Sequence, residues 1–445
     1  MIRTLNNFIG DVKGYHRSRI RKQVAQNAQA ASQAIAEQSD RALGQHVIEC
    51  LERFPVYAAY VENHCGRLPQ TPEHVVLEEL PIWTKAKQRE LFTSLDSPPI
   101  PGAFVHATGG STGIPTQFHM TRESYEWRTA VSDRGYSWAG AEPGRRSVFV
   151  WGAPVKEPTG LAKCKDASLH RLQNRWFFNS FDFSDDRKRE CCDLINRIRP
   201  EVVVGYAGNL VDLALYVAEH PDLLQWKSAR VVTAAEGLQA EQREILKANL
   251  TDEVFISYGS REFMLIAMEA GDHSGLYVSE DNVYVEVVDD HGAPVPDGET
   301  GRLLVTDLHN PATPFIRYEI GDLGAFASRT DSDILPFRKL TAVNGRTQER
   351  IVLADGSERT ALLFPHLLKE FEWITGYQVY QEEPGMIQLR LLTRTEMPSA
   401  GRDEVTKLVQ SFTSPDLKIE ILRVEHLEQS QNGKTPIVIS LLRTS

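Results

Sequence analysis

The chain has 445 residues, of which 41% are hydrophobic and 24% charged, so it can bury a sizeable core and is long enough for at least two domains. Its net charge of -11 disfavours nucleic acid and anionic membranes as partners, and no apolar run approaches the roughly 18 residues that a membrane span needs. Five cysteines without zinc-like spacing indicate reduced thiols. The N-terminus also lacks an apolar signal-peptide core, so we expect the protein to be located in the cytoplasm.

The first 75 residues are predicted to form a helical leader. Its opening stretch is polar and rich in alanine and glutamine, a composition that favours helix. Basic residues cluster near the start: Arg17, Arg19, Arg21 and Lys22. A basic helix can touch a membrane or a partner, but acidic residues and an alanine-rich run follow directly, so a solvated face is the favoured interpretation.

A loop rich in glycine and hydroxyl residues comes next. It reads Thr108-Gly109-Gly110-Ser111-Thr112-Gly113. Glycines let backbone N–H groups approach an anion, and the hydroxyls add donors that rotate toward phosphate oxygens, so the loop suits a polyphosphate. Ile114-Pro115 follows it and excludes a Walker A loop, which requires a lysine after its last glycine.

The same loop also fits two other interpretations. It matches G-x-S-x-G, the nucleophile elbow of serine hydrolases, with Ser111 as the nucleophile. An elbow must turn into a helix, whereas the segment from Pro115 to Met120 alternates like a strand, so this alternative is disfavoured. An ordinary flexible loop is the second alternative, because glycine-rich matches are common by chance.

Downstream of residue 146 the hydrophobic pattern predicts two kinds of sheet. Strands are predicted at 147–151, 201–205, 229–233 and 254–257, with helices at 186–198, 208–219 and 239–249 between them. This alternation favours a parallel sheet covered by crossover helices. Past residue 275 the period changes to two, with strands at 283–288 and 303–306, which predicts an antiparallel meander resembling a small barrel.

A shorter β-α-β-like unit begins at about residue 346. It ends in a strand pattern at 417–422, and Asp355-Gly356 within it has the composition of a hairpin turn. The predicted fold class is α/β. We expect residues 1–345 to form a large N-terminal domain with parallel sheets, helices and the β-barrel-like meander, and residues 346–445 to form a small mobile C-terminal α+β domain.

Short motifs accompany the glycine-rich loop in a fixed order. They are Leu80-Pro81-Ile82-Trp83-Thr84-Lys85 before it, then Ala234-Ala235-Glu236-Gly237, Tyr258-Gly259-Ser260-Arg261-Glu262, Phe315-Ile316-Arg317-Tyr318-Glu319-Ile320-Gly321-Asp322-Leu323, Gly345-Arg346, and Asn432-Gly433-Lys434. Over about residues 75 to 440 this series resembles the adenylate-forming ligases, in their phenylacetate-CoA ligase-like branch. The resemblance implies an ATP- and Mg²⁺-dependent enzyme that converts a carboxylic acid to acyl-AMP with release of pyrophosphate.

Three acidic motif residues are assigned to the nucleotide and its metal. Glu262 is the candidate magnesium ligand and a catalytic residue, because it is a hard oxygen donor just after a strand. Asp322 would accept hydrogen bonds from both ribose hydroxyls. With the glycine-rich loop, Glu236 and Tyr258 complete the predicted nucleotide site. The structural alternatives are a capping glutamate for Glu262 and a turn aspartate for Asp322.

Two cationic residues are implied by the resemblance. Arg346 would reach the phosphate or ribose, using a guanidinium that stays charged at physiological pH. Lys434 would bring its ammonium onto the α-phosphate when the small domain closes, and the small domain would rotate for the second half-reaction. A surface arginine and a solvated lysine are the respective alternatives.

The acid and its acceptor are less well determined. Predicted pocket residues are Trp151, Tyr206, Glu236, Tyr258 and Ser260, while His106 and His309 are favoured as structural histidines. Arg261 stands where relatives commonly have Thr or Ser, and its role is open. Glu236 is not followed by the Pro and Trp that follow it in phenylacetate ligases, which makes an aryl-acetate substrate doubtful. Thr347-Gln348-Glu349-Arg350 replaces the usual paired aspartates, so the hinge is expected to differ.

The predicted function is therefore an acyl-adenylate-forming ligase that uses ATP, Mg²⁺ and a small-molecule carboxylic acid. Coenzyme A, a carrier-protein thiol and an amine are all open as acceptors. The alternatives are a serine hydrolase that uses Ser111 with a histidine such as His366, and a nucleotide-binding subunit without turnover. The sequence does not predict an oligomeric state.

Overall fold

The computed structural model describes residues 11, 14–95, 97–108, 116–152, 173–181, 183–330, 332–344, 350–360, 363–368, 370–371, 373–394, 396–398, 400–428 and 437–442. The helices are α1 (Arg17–Asn27), α2 (Ser32–Arg53), α3 (Pro55–Cys65), α4 (Lys85–Ser94), α5 (Arg122–Trp138), α6 (Asp185–Ile198), α7 (Ala207–Glu219), α8 (Ala240–Asn249), α9 (Leu363–Leu368) and α10 (Gly401–Phe412).

The strands follow the same order along the chain. They are β1 (Phe104–Ala107), β2 (Gln117–Met120), β3 (Ser147–Trp151), β4 (Arg175–Asn179), β5 (Val202–Tyr206), β6 (Ser228–Ala234), β7 (Thr251–Ser260), β8 (Met264–Glu269), β9 (Leu276–Val278), β10 (Val283–Val288), β11 (Gly301–Asp307), β12 (Tyr318–Phe326), β13 (Lys339–Asn344), β14 (Arg350–Val352), β15 (Glu358–Thr360), β16 (Ile374–Gln381), β17 (Met386–Thr393), β18 (Lys418–Arg423) and β19 (Val438–Ser440).

The chain divides into two compact units. Unit 1 comprises Met1–Ala107, Thr116–Gly144 and Phe255–Gly345, and unit 2 comprises Thr108–Pro115, Arg145–Val254 and Arg346–Ser445. Unit 1 ends at Gly345 and the last segment of unit 2 begins at Arg346, which is the boundary expected from the sequence. The grouping of 145–254 with the C-terminal residues was not expected, and the division into a large domain 1–345 and a mobile domain 346–445 stays a prediction.

Unit 2 contains the predicted parallel sheet. Strands β6, β5, β3 and β4 lie side by side in that order, and every pair among them is parallel. All five residues of β5 are buried, as is typical of a parallel strand covered on both faces. The adjacent Cys191 and Cys192 of α6 are buried free thiols in the apolar core beneath it. Strand β4 was not predicted.

The C-terminal part of unit 2 has a second sheet of order β18-β17-β16-β19, in which only β16 and β17 pair antiparallel. The expected hairpin turn is present, because β14 and β15 pair antiparallel around Gly356, whose φ is 83°. Tyr206 at the end of β5 packs in the same apolar cluster as Ile351, Leu389 and Val405. This shared core is the physical reason that 145–254 and the C-terminal residues form one compact unit.

Unit 1 contains the predicted antiparallel meander. Its strands follow the order β10-β11-β12-β13-β9-β8-β7, and the ladders within it are antiparallel. Among the described strands, no ladder joins the ends of this order, so the barrel-like closure expected from the sequence is not seen there. The segment predicted as a strand after the glycine-rich loop is β2, which pairs with β1.

The N-terminal leader is helical, as predicted, but only part of its basic face is solvated: Arg19 and Lys22 are exposed, whereas Arg17 and Arg21 are largely covered. Arg17 and Arg21 of α1 pair with Glu126 and Asp133 of α5 at 2.7 and 2.5 Å, and the two arginine side chains are only 15% and 14% exposed. Helix α1 also packs apolar residues against α5. The favoured sequence interpretation was wrong for Arg17 and Arg21, because their acidic partners lie more than 100 residues away, beyond any local charge pattern. Within the described residues, no helix is both long and apolar enough to cross a membrane.

Candidate active site

Glu262 lies in the tight turn that joins β7 to β8. Phe263, the next residue, is fully buried in the apolar core of unit 1 and anchors the turn there. Met264 adopts a left-handed φ of 60°, which lets the chain reverse within three residues. The Glu262 residue is only 5% exposed. A carboxylate is thus held almost completely out of water at the end of a strand.

Two tyrosines hold the acidic motif residues. The Tyr318 hydroxyl donates to Oε1 of Glu262 at 3.1 Å, and the Tyr258 hydroxyl donates to Oδ2 of Asp322 at 3.0 Å. In the part of the chain that the structure describes, Glu262 has no lysine or arginine within ion-pairing distance of its carboxylate. Glu262 therefore contacts Tyr318, near the start of the Arg-Tyr-x-x-Gly-Asp motif, and Tyr258 contacts Asp322 at the end of that motif.

Arg317 anchors the strand that carries Tyr318 and Asp322. Its guanidinium donates to the carbonyls of Glu78, Leu80 and Gly292 at 3.0, 2.7 and 2.6 Å and pairs with Glu286 at 3.1 Å. Arg317 is 2% exposed and has a left-handed φ of 48°. Burial raises the pKa of the Glu286 carboxyl to about 7, although Arg317 opposes that shift. The motif arginine is structural and does not point to a ligand.

The two histidines beside motifs are also structural. His309 stacks on Trp127 with ring centroids 3.8 Å apart, and its Nε2 lies 2.9 Å from the Asp281 carbonyl. His106 accepts a hydrogen bond from the Ala107 N–H at Nδ1 and stacks on Phe118. Burial lowers the pKa of both rings, so both are neutral at pH 7. This agrees with the favoured interpretation of the sequence.

Glu236 lies in a cluster of charges in unit 2. Its Oε2 accepts the Gly208 N–H at 2.7 Å, at the start of α7. Arg350 pairs with Asp212 and Glu358 at 3.3 and 3.2 Å. Burial opposes the charge of Arg350, but Asp212, Glu236 and Glu358 outweigh it and raise the pKa of the guanidinium. The Gly208 N–H thus gives Glu236 a structural partner within unit 2.

The remaining predicted pocket residues fall in separate units. In unit 2, the rings of Trp151 and Tyr206 are 4.5 Å apart, and Tyr206 is a core residue that is 3% exposed. In unit 1, Ser260 directly precedes the Glu262 turn, and its buried hydroxyl has no hydrogen-bond partner among the residues that the structure describes. Thr108 is half-buried. Residues Gly109, Gly110, Ser111, Thr112, Gly113, Arg346 and Lys434 lie outside the described residues, as does the side chain of His366.

No family model matches the chain, but curated relatives do. The chain is 24% identical over 368 residues to a phenylacetate-coenzyme A ligase of Thermus thermophilus, covering 76% of this chain and 81% of the relative. It is 27% identical over 274 residues to the Escherichia coli phenylacetate-coenzyme A ligase, covering 60% and 59%, and 25% identical over 273 residues to that of Pseudomonas putida, covering 60% and 58%. It thus spans less than two thirds of these two enzymes.

The fold is shared with solved structures of 2-hydroxyisobutyryl-CoA ligase. The structure in complex with 2-HIB-AMP and CoA has a TM-score of 0.60 at 18% identity and covers 93% of this chain and 91% of that chain. The postadenylation structure with 2-HIB-AMP has a TM-score of 0.58 at 17% identity with the same coverage. The chain is thus similar to the adenylate-forming ligases and, among them, to phenylacetate-CoA ligases, so the resemblance seen in the sequence is confirmed. The predicted α/β fold class and enzyme class are confirmed as well.

Two residues that contact Glu262 are not predicted from the sequence. Tyr318 is there only part of the motif around Asp322, although its hydroxyl is the partner of the Glu262 carboxylate. Arg128 of α5 belongs to no motif, although it donates to the Glu262 backbone carbonyl. An arginine on the buried face of a helix is a signal that could have drawn attention to it, since a fully buried cation needs partners.

Substituting Gly259 by alanine is expected to destabilise the ligase by about 1–3 kcal/mol, the usual cost of overpacking. A Cβ at this position would lie 1.9 Å from the Met264 carbonyl oxygen, which is backbone and cannot move aside cheaply. The shift would displace the turn that carries Glu262. Thermal unfolding measures the loss, and Gly271→Ala is the control, because a Cβ there meets nothing within 4 Å. Equal melting temperatures of the two variants would contradict the prediction.

Proposed function

We propose that this ligase joins a carboxylic acid to AMP with release of pyrophosphate and then transfers the acyl group to coenzyme A. The observation that carries the proposal is the pair of tyrosine-held carboxylates, Glu262 and Asp322, within a chain of this family. The named relatives are phenylacetate-CoA ligases, both named structures hold 2-HIB-AMP, and one of them also holds CoA.

Glu262 fits a magnesium ion. Its carboxylate is a hard oxygen ligand, it is buried, and within the described residues its single hydrogen-bond partner is a neutral hydroxyl, so no described lysine or arginine forms an ion pair with it. Bound Mg²⁺ supplies positive charge to the phosphates as negative charge develops on them. The role of Glu262 is to hold that ion, and the role of Tyr318 is to orient the carboxylate.

Asp322 suits the ribose of ATP. Tyr258 occupies Oδ2, which leaves Oδ1 and the remaining lone pairs to accept the two ribose hydroxyls. Gly321 immediately before it has a φ of 95°, a conformation that lets the backbone turn at this point of β12. We propose that the glycine-rich loop at 108–113 and Arg346 contact the phosphates, and that Lys434 contacts the α-phosphate. We also propose a cytoplasmic location.

Acid-dependent pyrophosphate release tests the proposal. Purified wild-type protein is assayed with ATP, Mg²⁺ and a panel of aryl, fatty and amino acids, with hydroxylamine as the surrogate acceptor. We expect one acid class to stimulate release and Lys434→Ala to abolish it. Lys407→Ala is the matched control, because Lys407 is an exposed lysine on α10 outside every motif.

The acceptor is tested with the same acid. Loss of the free thiol of coenzyme A, in proportion to pyrophosphate, would support thioester formation, while hydroxamate formation without thiol loss would identify another acceptor. If every acid fails although ATP binds, the chain is a nucleotide-binding subunit without turnover. Hydrolysis of an ester without ATP, lost in Ser111→Ala, would instead support the serine hydrolase.

A further inference from the structure

Arg128 is a fully buried cation that the proposed reaction does not yet use. It lies on α5, is 0% exposed, and donates from one terminal nitrogen to the backbone carbonyl of Glu262 and from the other to Asp307. Its guanidinium also lies over the Phe118 ring, 6.0 Å from the centroid. One side chain of a distant helix thus reaches the peptide group of the candidate metal ligand.

The direction of this guanidinium is fixed by its partners. Asp307 ends β11 and is 1% exposed, and its Oδ1 accepts the His309 N–H at 2.9 Å while Oδ2 accepts from Arg128. A planar guanidinium holds donors on two separate terminal nitrogens in a fixed geometry, whereas an ammonium carries all its donors on one atom and does not fix the direction of two acceptors in this way. Burying a charge is costly unless it is paired, so the arrangement is not a chance surface contact.

The Glu262 turn is therefore held at three places. Arg128 holds its carbonyl, Tyr318 holds its carboxylate, and Phe263 anchors it in an aromatic cluster with Phe315 and Tyr318 at centroid distances of 5.4 and 5.9 Å. A ligand carboxylate that must meet a metal within about 0.5 Å needs this kind of support from groups behind it.

We propose that Arg128 is a positioning residue that fixes the backbone of Glu262 so that its carboxylate can hold the Mg²⁺ of bound ATP. The inference rests on the proposed function, because it takes Glu262 as the metal ligand. Arg128 itself contacts neither metal nor nucleotide. Its removal weakens the contribution of Mg²⁺ to ATP binding, whereas a purely structural arginine would affect only stability.

The experiment compares the ATP affinity of each protein in Mg²⁺ and in EDTA by isothermal titration calorimetry. In wild type, Mg²⁺ tightens ATP binding. In Arg128→Lys, which keeps the charge but cannot bridge both acceptors, we expect this tightening to fall about 10-fold or more, the usual effect of losing support behind a metal ligand, with the EDTA affinity within about twofold of wild type.

Arg134→Lys is the matched control. Arg134 lies on the same helix, is 8% exposed and pairs with Asp281 at 2.6 Å, but has no contact with Glu262. Both lysine variants are expected to lower the melting temperature, and only Arg128→Lys to change the effect of Mg²⁺. If Arg128→Lys does not fold, Asp307→Asn serves as a second variant, because it removes the carboxylate that directs the guanidinium and predicts the same loss.

Two results would overturn the inference. If Arg128→Lys, or Asp307→Asn in its place, keeps the wild-type effect of Mg²⁺ while losing stability as Arg134→Lys does, the residue is structural and the proposed reaction is untouched. If wild-type ATP affinity is itself the same in Mg²⁺ and EDTA, the assignment of Glu262 as a metal ligand fails, and the role of Arg128 fails with it.

Discussion

Replacing Glu262 by glutamine is expected to lower kcat/KM for pyrophosphate release by about 10²–10³-fold, the usual effect of removing one group that stabilises developing charge. The substitution keeps the shape of the side chain, and the amide oxygen can still accept the Tyr318 hydroxyl. The negative charge that would hold Mg²⁺ is removed. The loss should therefore appear as a much higher Mg²⁺ requirement together with a lower kcat.

Glu269→Gln is the matched control for this experiment. Glu269 is on β8 of the same hairpin, is 4% exposed, and accepts the Ile256 N–H at 2.9 Å, a bond that a glutamine oxygen can also accept. We expect its kinetics to stay close to wild type. If Glu262→Gln retains wild-type Mg²⁺ dependence and a rate within about threefold, Glu262 is not the metal ligand, although the chain would remain a ligase.

Replacing Arg317 by methionine is expected to destabilise the protein by about 3–5 kcal/mol at pH 8, the usual cost of removing one partner of a buried ion pair. The substitution leaves the Glu286 carboxylate buried without its cation and removes the donors to the carbonyls of Glu78, Leu80 and Gly292. Urea unfolding at pH 8 measures the loss in free energy of unfolding.

The pH dependence separates the charge from the carbonyl contacts. Burial raises the pKa of Glu286 to about 7, above its ordinary value of 4.5, so the folded protein favours the protonated form. The stability that this group contributes is therefore fully present below about pH 4.5 and is lost as the pH rises through about 7. Without Arg317 the charged form is penalised further, so the loss in Arg317→Met should be smaller at pH 5 than at pH 8.

A double variant completes this test. Arg317→Met with Glu286→Gln removes both members of the pair and should recover part of the stability at pH 8, because no buried charge is left unpaired. An equal loss at pH 5 and pH 8, with no recovery in the double variant, would show that the carbonyl contacts alone account for the effect of Arg317.

Local patterns predicted the parts of the fold that depend on neighbouring residues. The period-two strand β10 and helices α6, α7 and α8 lie within about two residues of their predicted bounds, because hydrophobic spacing determines which face of an element is buried. Glu262, Tyr258 and Asp322 were found through the resemblance, and their tyrosine contacts agree with a common site in unit 1.

Contacts across long stretches of chain could not be predicted in this way. Arg128 is 134 residues from Glu262, and Arg317 is more than 230 residues from the Leu80 carbonyl that it binds. A helical pattern can place an arginine such as Arg128 on a buried face, but it does not identify the distant acceptors that the guanidinium binds. For the same reason the sequence indicated a solvated leader, whereas the structure pairs Arg17 and Arg21 with acidic residues of α5.

The pairing of α1 with α5 affects how the amino end of this ligase can be engineered. Deletion of all residues that precede residue 30 would remove Arg17, Arg21 and Asn27. The Asn27 side chain donates to Asp281 at 3.0 Å. Glu126 and Asp133 would then lose cationic partners on the helix that also carries Arg128. A shortened chain would thus lose contacts on one side of α5, the helix whose other side supports Glu262. Affinity tags are therefore better added before an intact α1 than used to replace it.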